Sequence, residues 1–588
     1  MKPSAKSHSY FRSTWLTLWT ISVLMGEQRE TSPCAPQSTE LECPMTVNVL
    51  TDLAAVGPQR KPERGLRRAA TALLAALVAA LTHPAFAAPG ELDNTFNGTS
   101  GKLLTAVVGV NDYGAALAVQ PDGKILLAGG CQATPANGSA VGFCMMRWAA
   151  DGSPDNTFGT NSKVVTPSAL RNDTGLAVAV QPDGKIVMAG SCTTGVFGFS
   201  RKVCLRRYLS TGALDTTFGA SGLAEEVVST DDANIVLDSV SLVLQPDGKM
   251  VVATSCSVGT KLNFCALRFL ANGGLDTSFG DIATPGKVVT QMGSGTDTVR
   301  AMLLQPNGAL VLGGHCANTT PGVVMELCLA RYTTVGALDT SFNVNGKQTL
   351  RLYGYDYLTG LARQTDGKIV AAGYCGGPSN VVQASGCLLR LNENGTTDSD
   401  FNFGERIRVP YTYLARTAVQ PDGRIIVAGF RNTDTSGSAA SADFVVARRL
   451  STNLPDEAFG ATSTLNPTGT VVTPVATGTA FDNGVALALQ PDGKILVGGR
   501  CSDSGRAAFC LARYQGGPSG YKNCSLDIDG DGVMRAATDV LISTRVALGF
   551  TGSAVIAGIS FPNGATRTTW PQIRDYLMTT QCGVSLPE

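Results

Sequence analysis

Histidine is almost absent from this chain. Three occur in 588 residues, and only His315 lies beyond the first 87. That excludes a multi-histidine metal centre, or chemistry needing two histidines, from everything downstream. Charge is sparse too, at 16%, and balanced at 46 basic and 46 acidic residues. No excess of basic residues offers a surface for nucleic acid. Glycine is plentiful, at 67 residues, a composition that suits many short strands joined by tight turns rather than a helical enzyme.

Residues 1–87 read as a leader, with a signal peptide over about 58–87. Lys61 to Arg68 is basic, Ala69 to Leu81 is apolar, and Ala85-Phe86-Ala87 has the small-x-small form of a cleavage site. The apolar run is shorter than the ~20 residues a spanning helix needs, so cleavage and export are expected, with no membrane anchor left behind. Residues 1–60 fit neither signal nor domain, and a start at Met45 would leave Cys34 and Cys43 outside the protein.

Two phrases recur seven times. The first is Gln490-Pro491-Asp492-Gly493-Lys494, whose Gln falls at Gln120, Gln181, Gln245, Gln305, Gln364, Gln420 and Gln490. The second is Leu92-Asp93-Asn94-Thr95-Phe96, with equivalents ending at Phe158, Phe218, Phe279, Phe342, Phe401 and Phe459. The period is about sixty residues, the signature of a repeat architecture. Each copy reads as four strands. In the last copy these are Thr470–Pro474 (A), Val485–Gln490 (B), Lys494–Gly499 (C) and Ala508–Tyr514 (D). Pro presets φ in the B–C turn and Gly accepts positive φ. Strand B shows no polar alternation, so burial on both faces is expected. Such units need neighbours. The expected fold is all-β, a seven-bladed β-propeller over 91–515, with a linear β-solenoid as the rival.

These phrases resemble the delta-sixty repeat family of secreted bacterial proteins. Copy four departs from the pattern at Asn307 and Ala309, and copy five at Thr365. The resemblance implies a secreted, propeller-like protein and carries over no catalytic residue.

Six copies hold a Cys after strand C and another in strand D: Cys131/Cys144, Cys192/Cys204, Cys256/Cys265, Cys316/Cys328, Cys375/Cys387 and Cys501/Cys510. Copy six has Arg431 and Val445 instead, so both partners are missing together, as a bonded pair requires. Adjacent antiparallel strands bring such residues within disulfide reach. Two thiolates without a partner histidine argue against metal. Bridges and leader both point to an oxidising compartment: secreted, periplasmic or cell surface.

Features present in every copy are scaffold, because a ligand meets the copies unequally. The seven strand-D arginines (Arg147, Arg207, Arg268, Arg331, Arg390, Arg448, Arg513) are therefore structural, with an ion pair to the Asp of the second phrase as one arrangement. The A–B and C–D segments vary, and their face is where a ligand site is expected. Five copies carry Asp112, Asp173, Asp297, Asp356 and Asp482 there, read either as turn residues opening strand B or as a cation-attracting ring. Tyr353, Tyr355, Tyr357, Tyr411 and Tyr413 cluster in two adjacent copies and are the candidate ligand residues, with packing between blades as the competing role.

Past the repeats, Asp527, Asp529 and Asp531 alternate ahead of Gly532 and Val533, a pattern that gathers oxygens around Ca²⁺. A helix is expected from Ala536 to Leu548. The stretch resembles one calcium loop of a dockerin, but Thr538 stands at the closing position and Asp539 follows one step later. No second Asp-rich loop is present, so docking to a cohesin is not implied. A small, mainly α module is expected over 521–584, tied by Cys524 and Cys582.

The expected function is an exported, monomeric, non-catalytic binding or scaffold protein for an unidentified protein or glycan. The alternatives are a carbohydrate-active hydrolase or lyase using carboxylates such as Glu225, Glu226, Asp231 and Asp232, and a structural cell-surface protein.

Overall fold

The structure is a computed structural model. It describes residues 88–98, 100–109, 111–132, 141–166, 173–193, 201–229, 239–282, 284–318, 324–376, 385–401, 406–432, 441–460, 469–476, 481–503, 506–517, 528–529, 536–547, 550, 552–562 and 565–575. The leader, Cys524, Cys582, Asp231, Asp232, Asp527, Asp531 and Val533 lie outside the described residues.

Strands come in fours. After β1 (Lys102–Thr105), the first sheet is β2 (Asn111–Val119), β3 (Ile125–Gln132), β4 (Val141–Trp148) and β5 (Lys163–Thr166), paired antiparallel in that order. The next two are β6 (Thr174–Val180), β7 (Ile186–Thr193), β8 (Arg201–Tyr208) and β9 (Leu223–Ser229), then β10 (Ser241–Leu244), β11 (Met250–Val258), β12 (Lys261–Phe269) and β13 (Lys287–Thr290). β14 (Asp297–Leu304), β15 (Leu310–Asn318), β16 (Val324–Tyr332) and β17 (Lys347–Leu350) follow. β18 (Tyr355–Arg363), β19 (Ile369–Gly376), β20 (Ser385–Leu391) and β21 (Arg406–Pro410) come next, and a one-residue parallel bridge, Met325 to Tyr355, joins the last two sheets. β22 (Thr412–Val419), β23 (Ile425–Asn432), β24 (Ala442–Arg449) and β25 (Thr470–Thr473) make another. β26 (Asp482–Leu489), β27 (Ile495–Asp503) and β28 (Arg506–Tyr514) take their fourth strand from the other end of the repeats: β1 pairs with β28, Lys102 opposite Ala512. These are propeller-like repeats of four-stranded sheets.

The sheets cut the chain one strand out of phase with the repeated phrases. Thr470–Pro474, expected to open the last copy, contains β25, which closes the preceding sheet on β24. The phrases fix the period, but a strand belongs to whichever open edge accepts its hydrogen bonds. Burial also differs from expectation. The strands buried almost throughout are the second and third of each sheet, as in β15 and β20, whereas the first strands are only partly buried, as in β26. The reason is that the first strands border a common central space.

Each junction between consecutive sheets has its own apolar cluster, from Phe143 with Met188 to Phe444 with Val497. Leu496, Phe509 and Leu511 of the last sheet pack with Ile125, Leu127 and Met146 of the first. Each fully buried Leu or Phe contributes roughly 1.5–3 kcal/mol.

The B–C turns form as expected. Gly123 N donates to the Gln120 carbonyl at 2.9 Å, with Gly123 at φ 82°, and the equivalent Gly of every copy has positive φ.

Six cysteine pairs are bridged within sheets, Cys131–Cys144, Cys192–Cys204, Cys256–Cys265, Cys316–Cys328, Cys375–Cys387 and Cys501–Cys510, with Cα atoms 5.5–6.0 Å apart. Their placement corrects the expected one in two respects. The first cysteine of each pair lies inside the second strand of its sheet rather than after it, as Cys131 does in β3. The second cysteine, expected on a closing strand D, lies on the third strand: Cys144 on β4, Cys204 on β8, Cys265 on β12, Cys328 on β16, Cys387 on β20 and Cys510 on β28. The one-strand shift of phase is the cause, since each of these strands is covered by a fourth. Cys204 thus lies opposite Glu225, Cys265 opposite Val289, Cys328 opposite Thr349, Cys387 opposite Arg406 and Cys510 opposite Leu104. All of them are buried. Bonded partners sit diagonally rather than face to face: Cys131 is opposite Gly142, and Cys144 opposite Gly129. The same holds for Cys204 opposite Gly190, Cys265 opposite Thr254, Cys328 opposite Gly314, Cys387 opposite Gly373 and Cys510 opposite Gly499.

One backbone irregularity shapes the centre. Six first strands carry a bulge at the same place, at Ala115, Leu176, Arg300, Thr359, Ala415 and Val485. A bulge re-aims the extra side chain. It also presses the backbone onto the second strand, where only glycine fits: a Cβ on Gly314 would lie 1.9 Å from the Thr298 carbonyl oxygen, and one on Gly373 1.8 Å from that of Tyr357. Gly314→Ala is therefore expected to destabilise the protein by about 3 kcal/mol, at the upper end for overpacking because the obstruction is backbone. Denaturant unfolding checks this, and a change within about 0.5 kcal/mol, the ordinary range for an unencumbered surface site, would contradict it.

The C-terminal stretch has a separate small core of Ile528, Ile542, Val555 and Ile573. A π-helical turn at Ala536–Val540 runs into α1 (Leu541–Ala547), and α2 (Trp570–Asp575) follows. The expected helix is thus observed to Ala547, and Leu548 lies outside the described residues.

Candidate functional site

The residues common to every copy are occupied by the scaffold. Each strand-D arginine places Nε 2.6–2.8 Å from the Asp of the Leu-Asp-x-x-Phe phrase. Its guanidinium stacks 4.3–4.9 Å from the centre of that phrase's Phe ring. Its Nη1 then donates to a backbone carbonyl of the next sheet: Arg147 to Ser210, Arg207 to Ala271, Arg268 to Thr334, Arg331 to Glu393, Arg390 to Ser451, Arg448 to Gly516 and Arg513 to Ala150. Asp215 is held as an anion. At Asp215 the Thr217 hydroxyl leads in pushing the pKa well below the usual carboxylate range, and the Thr217 amide, Lys185 and Arg207 add to it against the opposing desolvation.

The buried aspartates of the variable segments also have structural work. Asp112 Oδ2 accepts the amides of Val107, Val108 and Gly109, and Asp356 those of Leu352, Tyr353 and Gly354. Asp297 and Asp482 likewise hold the loops before them. They are loop clamps rather than a ring presented to a ligand. Four of them lie in register with a bridged cysteine: Asp112 with Cys131, Asp297 with Cys316, Asp356 with Cys375 and Asp482 with Cys501. Copy six, which lacks both cysteines, has Thr412 at this position.

The unequal residues converge on the centre. A cavity of about 280 Å³ is lined by the first strands of the sheets, together with His315, Tyr374 and Phe430 from the second strands. Its lining residues lie from the start to the middle of the first strands and in the later half of the second strands, so it sits toward the face of the A–B and C–D segments. Five residues before each repeated Gln stand Ala115, Leu176, Val240, Arg300, Thr359, Ala415 and Val485. Four before it stand Ala116, Ala177, Ser241, Ala301, Gly360, Arg416 and Ala486. Ten after it stand Gly130, Ser191, Ser255, His315, Tyr374, Phe430 and Arg500. One arginine interrupts each of the first two small or apolar columns, and both enter the channel.

Aromatic rings wall the same side. His315 meets Tyr357 edge-on at 4.7 Å, Tyr357 stacks on Tyr374 at 4.8 Å, Tyr374 meets Tyr413 at 5.1 Å, and Tyr413 stacks on Phe430 at 5.1 Å. Burial first, then Arg300, pushes the His315 pKa down to about 3, so its imidazole is neutral at physiological pH. Of the tyrosines singled out in the sequence, Tyr357 and Tyr413 line the cavity. Tyr355 shares a strand face with Tyr357 outside it, Tyr411 precedes β22 at φ 62°, and Tyr353 is an exposed loop residue. Arg300, Arg416 and His315 were missed, although the aligned columns marked them. Glu225 and Glu226 lie on the outer strand β9, paired with Lys202 and with Lys287 at 4.0 Å.

At the C-terminal loop, Asp529 and Asp539 are fully buried, and Asp539 Oδ1 accepts the amides of Ile528 and Asp529 at 2.6 and 2.9 Å. Asp539 is thus brought beside Asp529. No helix among the described residues is long and apolar enough to cross a membrane.

The chain matches the family described as "Domain of unknown function (DUF5122) beta-propeller" over residues 120–158, 181–218, 245–279, 364–401 and 490–516. No curated protein matches it. Among solved structures, the β-propeller domain of the Trilobed protease from Pyrococcus furiosus is 9% identical, over 69% of this chain and 96% of that one, with a TM-score of 0.36. The polysaccharide lyase Uly1 is 10% identical, over 69% and 90%, with a TM-score of 0.38. Drosophila Semaphorin 1a, extracellular domains 1–2, is 12% identical, over 74% and 89%, with a TM-score of 0.37.

Proposed function

We propose that this β-propeller repeat protein is an exported binding protein, a seven-bladed ring closed by β1 on β28, with its ligand site at the central cavity. One observation carries the reading. The repeated residues are consumed by the scaffold, while the residues that differ between copies, Arg300, His315, Tyr357, Tyr374, Tyr413 and Arg416, meet in one cavity. Ring closure is supported by the apolar cluster between last and first sheets and by Arg513 reaching Ala150. Export is supported by six disulfides and by the leader pattern of residues 58–87. An enzyme working through paired carboxylates finds no support at this cavity, since among the described residues none that lines it is Asp or Glu. A glycan array combined with a glycosidase and lyase panel tests the reading. Binding without turnover is expected, and turnover of any bound glycan would replace it with the enzyme reading.

The C-terminal module is read as calcium-stabilised. The burial of Asp529 beside Asp539 fits a hard cation, with Asp527, Asp531 and Val533 as further oxygen donors. Calcium there supplies a cross-link between loop oxygens. Chelation is expected to lower hydrogen-exchange protection of residues 536–547 and leave the blades unchanged. Calcium at a hundredfold over its Kd adds about 2.7 kcal/mol. Equal protection with calcium and with chelator would rule the site out.

A further inference from the structure

We propose that the central cavity takes a single anionic sugar, a uronic acid, with its carboxylate held between Arg300 and Arg416. The inference rests on the cavity being the binding site and names its ligand.

Two like charges face one cavity. Arg300 is the bulged residue of β14, and Arg416 enters from β22. Arg416 Nη1 donates to the carbonyls of Thr359 at 3.3 Å and Ala415 at 2.8 Å, and no carboxylate among the described residues is within ion-pair reach of it. Desolvation, then Arg300, lowers its pKa. An anion bound between the two guanidiniums relieves that repulsion, and the planar fork of arginine matches a carboxylate in two-point contact.

A second polar group points to the same ligand. His315 is 8% exposed and lines the cavity. A neutral imidazole offers one donor and one acceptor, which suits a hydroxyl rather than a second charge. Tyr357, Tyr374 and Tyr413 add rigid rings with polar tips, surfaces suited to a sugar ring. The volume, about 280 Å³, is enough for one such ring. The ligand is therefore a free uronic acid or the end residue of an acidic glycan.

Calorimetry on the purified protein separates the possibilities, using sodium glucuronate, an oligoglucuronate, glucose and acetate. Glucuronate is expected to bind at least tenfold more tightly than glucose or acetate. Arg300→Gln and Arg416→Gln should each weaken it at least tenfold with no fall in melting temperature, and Arg416→Lys should weaken it less. An oligomer binding as well as the monomer identifies a glycan end as the source, and monomer binding alone identifies the free acid. Glucose binding as tightly as glucuronate overturns the anionic ligand but leaves the cavity as a binding site. Acetate binding as tightly overturns the sugar. No binding by any of the four overturns both readings.

Discussion

Arg513→Ala is expected to destabilise the protein by about 3–5 kcal/mol, the range for leaving one partner of a buried ion pair uncompensated. Arg513 and Asp93 are 4% and 1% exposed and 2.8 Å apart, and they lie at opposite ends of the repeats. The same guanidinium covers Phe96 at 4.4 Å and donates to the Ala150 carbonyl. Its loss therefore strands Asp93, uncovers an aromatic ring and breaks a link between the two ends. Lys494, 3.2 Å from Asp93, recovers part of the charge balance and pulls the effect toward the lower end of the range. Denaturant unfolding reads the effect. A loss below about 1 kcal/mol, the value of an exposed pair, would contradict a structural role for the arginine series, and with it the proposed closure.

Reduction of the disulfides should have a still larger combined effect. The bridges span 9–13 residues, each worth about 2–3 kcal/mol in the chain-entropy account. The six are not additive, since the bridged sheets pack on one another, but their joint loss is comparable to the whole stability of an ordinary domain. Under reductant, hydrogen-exchange protection should fall in the six bridged sheets. The sheet of β22–β25 is the internal control, because it carries Thr412, Arg431 and Val445 in place of the Asp and both cysteines. If all sheets keep their protection in reductant, the bridges are dispensable and this account of the stability fails.

Much of this fold is legible in the sequence because its determinants repeat. Gln-Pro-Asp-Gly specifies a turn locally, the paired cysteines disappear together in copy six, and an arginine and an aspartate recurring in every copy announce a shared ion pair. The phase of the sheets is not legible, because β25 and its equivalents follow the Leu-Asp-x-x-Phe phrase whichever sheet they join. That is also why Cys204, Cys265 and their equivalents read as belonging to a closing strand when a further strand covers them. Nor is the exposure of the first strands legible, since Val485-Ala486-Leu487-Ala488-Leu489 reads the same beside a channel as inside a core. Buried Asp112 and Asp356 look like candidate ligands until the loop amides they hold are seen. The cavity residues stand in the columns around the repeated Gln, as the odd residues Arg300, His315 and Arg416. Looking for clusters along the chain finds Tyr357 and Tyr413 of the cavity along with Tyr353, Tyr355 and Tyr411, whereas comparing the copies position by position adds Arg300, His315 and Arg416.

The central claim is that the residues on which the copies disagree form the binding site. The most direct measurement is a crystal structure of the protein soaked with glucuronate. The account predicts one sugar in the central cavity, its carboxylate on Arg300 and Arg416, a hydroxyl at the His315 imidazole, and the Arg513 series unmoved. Ligand density on the face of the Pro-Asp-Gly turns, or at equivalent positions on several sheets, would contradict it.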